Sequence, residues 1–193
     1  PGSSAARLGI RNCTFAYNGY NASEGAAGIY AVQGAVTIRN SIFFGNFHLD
    51  ASAGNIRLGK NATADIAWTM FDETNTLGVV EVTPGSVTYG QGVRLGDPLF
   101  VTPYAAAQAQ VVGLTNGTNL VTKDLSSRLT DAAVCGAFDL PLLGTYRGAD
   151  GVTHRSGGVQ SPAVNAGDKA SAYDREPQPN GGRGNLGNYG NTP

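Results

Sequence analysis

The sequence has little charge, little sulfur and no long apolar run. Charged residues make up 14% of the 193 residues, and there are two cysteines, one methionine and one tryptophan. Two cysteines are too few for a disulfide framework, and no Cys/His cluster has the spacing of a zinc site. Without a run of 18 apolar residues we expect no transmembrane helix. The first residues also lack the apolar segment of a signal peptide, so we expect a fragment of a longer chain.

The charge balance narrows the class of partner. Thirteen basic and 14 acidic residues give a net charge of −1, and nucleic-acid recognition needs a basic patch or stripe. We therefore expect no nucleic-acid partner. Apolar residues make up 41% and there are 28 glycines, a composition that favours a turn-rich β architecture over a helical one. The length is sufficient for one domain with its own core.

A repeat of 28 residues is the main feature that is present. LGIRNCTFAYN at 8–18 recurs as VTIRNSIFFGN at 36–46 and, more loosely, as ADIAWTMFDET at 64–74. The repeat places like residues in columns: Ile10, Ile38 and Ile66; Asn12, Asn40 and Trp68; Cys13, Ser41 and Thr69; Phe15, Phe43 and Phe71. A fixed period of this length indicates a solenoid, in which each unit buries its apolar face against the next.

Each repeat has the pattern of β-strands joined by a bend. Apolar residues alternate up to Asn40 and resume one step out of phase at Ser41, which predicts a bend at Asn40. Asparagine enters the left-handed region at low cost. Looser segments at 28–31 and 55–58, one residue closer together than the repeat interval, predict a third strand per repeat, with one residue of slack in the preceding turn. Three short strands in each repeat predict an all-β parallel β-helix.

Several segments are similar to those of known bacterial proteins. GAAGIYA at 25–31, followed by VTIRNSIFFGN, resembles the repeats of polymorphic outer-membrane proteins and other bacterial right-handed β-helix proteins. LGDPLF at 95–100, SPAVNAGD at 161–168 and PNGGRGNLGNYGNT at 179–192 resemble the closing segment of choice-of-anchor Q domain proteins. The resemblance implies a right-handed parallel β-helix that is secreted or held at a cell surface.

The chain divides into three regions. We expect residues 1–100 to form the β-helix coils, with further strands at 77–82 and 86–90. Residues 101–160 lose the repeat and are interpreted as an insertion packed on the end of the solenoid, with a turn at Asn116-Gly117 and a short helix at 125–134. Residues 161–193, rich in Gly, Asn and Pro, are interpreted as an irregular capping tail with Leu186 and Tyr189 as anchors.

The repeat columns suggest a binding face but no catalytic residues. Arg11 and Arg39 alternate with inward isoleucines, so we expect them to point outward, either as a site for an anionic sugar or as a solvated face. Tyr30 and other exposed aromatic residues, among them Phe44, are candidates for stacking on sugar rings. Polysaccharide hydrolysis requires a pair of carboxylates at a defined separation, and no acidic column exists. Asp72 and Glu73 are expected in an exposed turn.

Two features leave alternatives open. Asp168, Asp174 and Glu176 are a candidate calcium site, because calcium takes carboxylate and carbonyl oxygens on irregular loops; the alternatives are a purely structural tail or solvated acids. Cys13 shares its column with small residues, which favours a buried structural thiol over a bridge to Cys135 or a reactive thiol.

Three hypotheses about function remain. The first is an extracellular or cell-surface module with a structural, adhesive or glycan-binding role, whose partners are polysaccharides, surface proteins and the upstream coils of the same polypeptide. The alternative is the C-terminal end of a polysaccharide lyase or glycoside hydrolase with its catalytic coils upstream. The third is end-to-end self-association through exposed strand edges.

Overall fold

The computed structural model describes residues 6–16, 18–20, 26–48, 54–72, 79–81, 86–100, 145–147, 153–155, 160–176 and 181–191. These residues are mostly β with almost no helix. The strands are β1 Arg7–Arg11, β2 Thr14–Ala16, β3 Gly19–Tyr20, β4 Ile29–Arg39, β5 Ile42–Phe44, β6 Phe47–His48, β7 Ile56–Ala67, β8 Met70–Phe71, β9 Val79–Glu81, β10 Ser86–Tyr89, β11 Arg94–Leu95, β12 Thr145–Arg147 and β13 Thr153–Arg155. One short 3-10 helix spans Gly187–Tyr189. Over the described ranges, no helix has the length and apolarity to cross a membrane.

The first sheet is parallel and follows the sequence repeat. Its strand order is β1-β4-β7-β10, with β9 also paired to β7. Leu8 pairs with Val36 and Val36 with Ala64, so successive partners are separated by the full interval of the repeat, as the sequence predicts. The interval is shorter at β10, where Val87 pairs with Ala64. The strands expected at 77–82 and 86–90 are confirmed as β9 and β10.

The second sheet is also parallel, in the order β2-β5-β8-β11. Phe15 pairs with Phe43 and Phe43 with Phe71, again at the interval of the repeat. The smaller strands β3 and β6 pair in parallel, and β12 and β13 form an antiparallel pair. In the described residues the expected β architecture is therefore confirmed, with parallel strands in two sheets and almost no helix.

The strand expected at 28–31 is not separate from the strand that leads to Asn40. Both lie in the 11-residue β4, and the equivalent segments join in the 12-residue β7. Ala31 pairs with Leu58, one position short of the repeat interval, whereas Gln33 pairs with Asn61 at the full interval. A bulge in β7 thus restores the residue that the preceding turn lacks.

The predicted bend occurs in all three repeats. Asn12, Asn40 and Trp68 have positive φ angles of 51°, 52° and 50°. The third repeat keeps this geometry although tryptophan enters the left-handed region less readily than asparagine. At each bend the next side chain donates a hydrogen bond back to the carbonyl oxygen two residues earlier: Cys13 Sγ to Arg11 (3.1 Å), Ser41 Oγ to Arg39 (2.9 Å) and Thr69 Oγ1 to Ala67 (2.9 Å). Cys13 is a free, half-buried thiol that packs against the core.

The main core lies between the inner faces of the two sheets. The first sheet contributes Ile38, Ile56 and Ile66, which are fully buried. The second sheet contributes a stack of phenylalanines, in which the ring of Phe43 lies 4.7 Å from Phe15 and 5.2 Å from Phe71, nearly parallel to both. Directly paired strands place these like residues one above another, so each repeat buries its apolar face on its neighbours.

The C-terminal tail covers the outer face of the second sheet. Leu186 is fully buried with Ile42, Met70, Ala163 and Ala166 in a second apolar cluster. Leu186 is thus the anchor that the sequence predicted, while the side chain of Tyr189 lies outside the described residues. The cluster includes residues of β5 and β8, so the described part of the tail lies along the side of the second sheet.

Hydrogen bonds at the bends hold the same tail in place. The backbone carbonyl oxygen of Asn40 accepts a hydrogen bond from the Gly187 amide (2.8 Å). The side-chain Oδ1 of Asn40 accepts another from the backbone amide of Asp168 (2.8 Å). The Asn40 Nδ2 donates to Ser171 Oγ (2.9 Å), and the Asn12 Nδ2 donates to the Gly190 carbonyl oxygen (3.2 Å). Asparagine at the bend therefore both permits the backbone angle and bonds the tail.

The expected turn at Asn116-Gly117 and the expected helix at 125–134 lie outside the described residues. Phe44 is expected to be exposed, and this prediction is wrong. Its side chain is half-buried against the second apolar cluster, the one around Leu186, and its ring lies edge-on to Phe100 with 6.0 Å between ring centres.

Candidate ligand-binding face

The outer face of the first sheet has small and polar residues in register. Its positions alternate with the buried isoleucines, and apart from Ala67 they are exposed or half-buried. Three columns form this face: Arg7, Ala35, Thr63 and Ser86; Gly9, Thr37, Asp65 and Thr88; Arg11, Arg39 and Ala67. Neighbouring strands are about 4.8 Å apart, so the columns present hydroxyl and guanidinium groups at a regular spacing on a broad surface.

Arg39 is held by the next strand of the sheet. Its guanidinium forms an ion pair with the Asp65 carboxylate and also donates to the Asp65 carbonyl oxygen (2.7 Å) and the Ile38 carbonyl oxygen (2.9 Å). The Arg39 side chain is 21% exposed and that of Asp65 is 52% exposed. As expected from the alternation, Arg39 points outward, but much of its hydrogen-bonding capacity is already used within the protein.

Arg11 occupies the equivalent position one repeat earlier and is exposed. Thr37 and Asp65 share one column of the sheet. Thr37 therefore occupies the same position relative to Arg11 that Asp65 occupies relative to Arg39, on the next strand of the sheet. A threonine offers a hydroxyl but no charge. Over the described ranges Arg11 has no ion pair, so the two arginines that the sequence grouped together differ in availability.

Tyr30 lies near the start of β4, at the opposite end of that strand from Arg39, and its side chain is exposed. It is 41% exposed, and the Arg57 guanidinium lies 5.9 Å from the centre of its ring. Beside it is a cavity of about 270 Å³, whose lining includes the exposed Leu8 and Val32 together with Arg7. Apolar surface and positive charge are therefore adjacent at the β1 edge of the sheet.

The first sheet is positively charged although the chain is not. Its strands contain five basic and two acidic residues in a chain of net charge −1. The basic residues are Arg7, Arg11, Arg39, Arg57 and Lys60, and the acidic ones are Asp65 and Glu81. A local excess of one sign raises the concentration of oppositely charged ligands at a surface.

The three candidate calcium ligands have different surroundings in the tail. Asp168 is half-buried and its Oδ1 accepts from the Ala170 amide (3.0 Å), Asp174 is exposed, and Glu176 is buried. The Glu176 Oε1 accepts hydrogen bonds from the backbone amides of Asn185 and Asn191. The part of the chain that the structure describes contains no group of three or more acidic, His or Cys side chains able to hold a metal ion. Through these hydrogen bonds Glu176 joins two parts of the tail.

Asp72 is not in an exposed turn, so that prediction is wrong. It is 7% exposed, and its carboxylate accepts from the Gly45 amide (2.9 Å) and from Asn55 Nδ2 (3.4 Å). The network continues from Asn55 Oδ1 to Asn46 Nδ2 (2.8 Å), and Asn46 Oδ1 accepts from Asn18 Nδ2 (2.8 Å). Asp72 thus belongs to a buried polar ladder that joins the repeats. Glu73 lies outside the described residues.

Sequence reasoning missed the partners that decide the state of each arginine. Those partners are Asp65 for Arg39 and Thr37 for Arg11. The sequence repeat contains the signal. Arg39 pairs with Ala67, and Asp65, two residues before Ala67, lies diagonally opposite Arg39 on the same face of the sheet. The chain matches no family model, no curated protein and no solved structure.

Proposed function

We propose that this chain is a segment of a right-handed parallel β-helix that acts outside the bacterial cell as a structural or adhesive module. Three features support the β-helix: the strand register that follows the sequence repeat, the two parallel sheets that share one core, and the recurring positive-φ bend. The segment resemblances to bacterial surface proteins support the location. In this arrangement the upstream coils of the same polypeptide continue the stack.

The module binds polysaccharide on the outer face of its first sheet. The observation that carries this proposal is the contrast between the two outer faces. The tail covers the second sheet with a buried apolar cluster, whereas Thr63, Ser86 and Thr88 on the first sheet are exposed. A broad surface of hydroxyl and guanidinium groups is suited to the hydroxyl and acidic groups of a polysaccharide.

Binding and turnover measured in the same samples test this function. The intact chain is titrated with polygalacturonate, dextran sulfate and unmodified dextran, and reducing ends and unsaturated products are followed in parallel. We expect binding of at least one polymer without product release. Failure to bind any of them would refute the proposal, and product release would favour the alternative of a lyase or hydrolase.

A pair of variants locates the binding surface. Thr63→Gln places a longer side chain at the centre of the outer face of the first sheet, and we expect it to weaken binding severalfold. Lys169→Gln changes an exposed residue of the tail and serves as the control. Equal affinities of the two variants would show that the polymer binds elsewhere.

A further inference from the structure

The two stacked arginines of the first sheet differ in one decisive respect. Arg39 donates to the carboxylate and the carbonyl oxygen of Asp65, which lies in the next strand. Arg11 is in register with Arg39, and the residue in the position of Asp65 is Thr37. Among the residues that the structure describes, an acidic side chain therefore neutralises the guanidinium charge of Arg39 and none neutralises that of Arg11. The Arg39–Asp65 pair thus shows how a carboxylate binds an arginine at this position of the repeat, and Arg11 is the equivalent arginine one repeat earlier.

The surroundings of Arg11 add to its positive charge. Arg7 lies four residues earlier on the same strand and on the same face, and it is exposed. The three outer-face columns contain a single acidic residue, Asp65, and that residue is already paired with Arg39. The end of the face at β1 thus carries two positive charges, and the columns of Arg7 and Arg11 contain no acidic residue. An approaching anion meets an attractive potential there.

We propose that the Arg11 guanidinium and the Thr37 hydroxyl bind an oxyanion group of an acidic polysaccharide. This inference rests on the proposed function and names its ligand class. Arginine presents a planar pair of N–H donors that fits a carboxylate or a sulfate, and Thr37 can donate a further hydrogen bond. The bound oxyanion occupies the place that the Asp65 carboxylate occupies beside Arg39. The ligand is therefore acidic, and neutral glycans bind this face more weakly.

The sharpest test supplies the anion from the protein itself. Thr37→Asp copies the Arg39–Asp65 arrangement at Arg11, so we expect its affinity for acidic polymers to fall about tenfold or more, because the internal carboxylate then competes with the polymer for the Arg11 guanidinium. Thr37→Asn is the control of similar size without charge; its Nδ2 can donate in place of the lost hydroxyl, so we expect a much smaller loss of affinity than in Thr37→Asp. Arg11→Gln should reproduce the loss seen with Thr37→Asp.

Asp65→Asn gives a change of the opposite sign. It removes the internal anion from Arg39, so we expect affinity for acidic polymers to rise severalfold. Circular dichroism and urea unfolding of all variants separate a change of binding from a loss of structure. Dextran sulfate and polygalacturonate distinguish a sulfate from a carboxylate ligand, and weaker binding at higher salt is expected for both.

The outcomes separate this inference from the proposed function. Equal affinity for neutral dextran and for the acidic polymers, or no effect of Thr37→Asp in a folded variant, would overturn the Arg11 site while leaving a glycan-binding module. Absence of binding to every polymer would overturn both. Preferential binding of acidic polymers that is lost in Thr37→Asp and weakened far less in Thr37→Asn would establish the site.

Discussion

The phenylalanine stack allows the sharpest prediction about stability. Phe43 is fully buried, and its ring stacks on Phe15 at 4.7 Å and on Phe71 at 5.2 Å. Phe43→Ala removes the middle ring and leaves a cavity between two rings that are held by their own strands. Substitution of a buried phenylalanine by alanine costs about 3–5 kcal/mol, and two aromatic contacts of about 0.5–1.5 kcal/mol each are part of that cost. We expect Phe43→Ala to lower the free energy of unfolding by about 4 kcal/mol.

Phe15→Ala is the matched control, because Phe15 lies in the same column but stacks on a single ring among the described residues and is only half-buried. Its expected cost is about 2 kcal/mol, since less apolar area is removed from water in the folded state. Urea unfolding followed by circular dichroism measures both values, and an unchanged denaturant slope confirms that the same transition is observed. The continuous stack would be refuted if the two substitutions had equal costs. It would also be refuted if Phe43→Ala cost only about 1 kcal/mol, as an average substitution does.

Two further predictions concern the tail and the buried polar ladder. Gly187 has φ +82°, and a Cβ there would lie 2.5 Å from Thr14 Oγ1, whereas Gly182 has φ +71° with open space around it. Gly187→Ala should therefore destabilise the protein by about 2–3 kcal/mol and Gly182→Ala by about 1 kcal/mol; similar thermal unfolding of both variants would contradict the packing of the tail. Asp72→Ala leaves the half-buried Gly45 amide without its acceptor, an expected cost of about 1–3 kcal/mol that Asp72→Asn should largely avoid in the same denaturation assay.

The repeat columns were predictable because they depend on residues at a fixed interval. Ile38 and Phe43 are buried, and Asn40 bends the chain, as the alternation and its phase slip indicated. These features follow from pairing between one repeat and the next, and such pairing is written directly in the sequence. The join of two expected strands into β4 was not predicted, since the shift of register between them is absorbed by a bulge in the neighbouring strand β7.

Contacts between distant parts of the chain could not be predicted in this way. Asp72 follows a buried phenylalanine and resembles the start of a turn, but its burial depends on Gly45 and Asn55 from the preceding repeat and the segment after it. Likewise, the period gives no indication that Asn40 bonds Asp168 and Ser171 of the tail. Those partners are far from Asn40 along the chain and lie outside the repeat.

The composition of the outer faces explains why the tail covers one sheet and leaves the other open. In β5 both Ile42 and Phe43 are buried, because Phe43 faces the main core and Ile42 faces the tail. In β4 the buried Ile38 is flanked by Thr37 and Arg39 on the outer face. Strands that are apolar on both faces require a cover on both, whereas alternating strands keep one face in water. The same alternation that fixes the core therefore leaves the first sheet as the surface on which a ligand can bind.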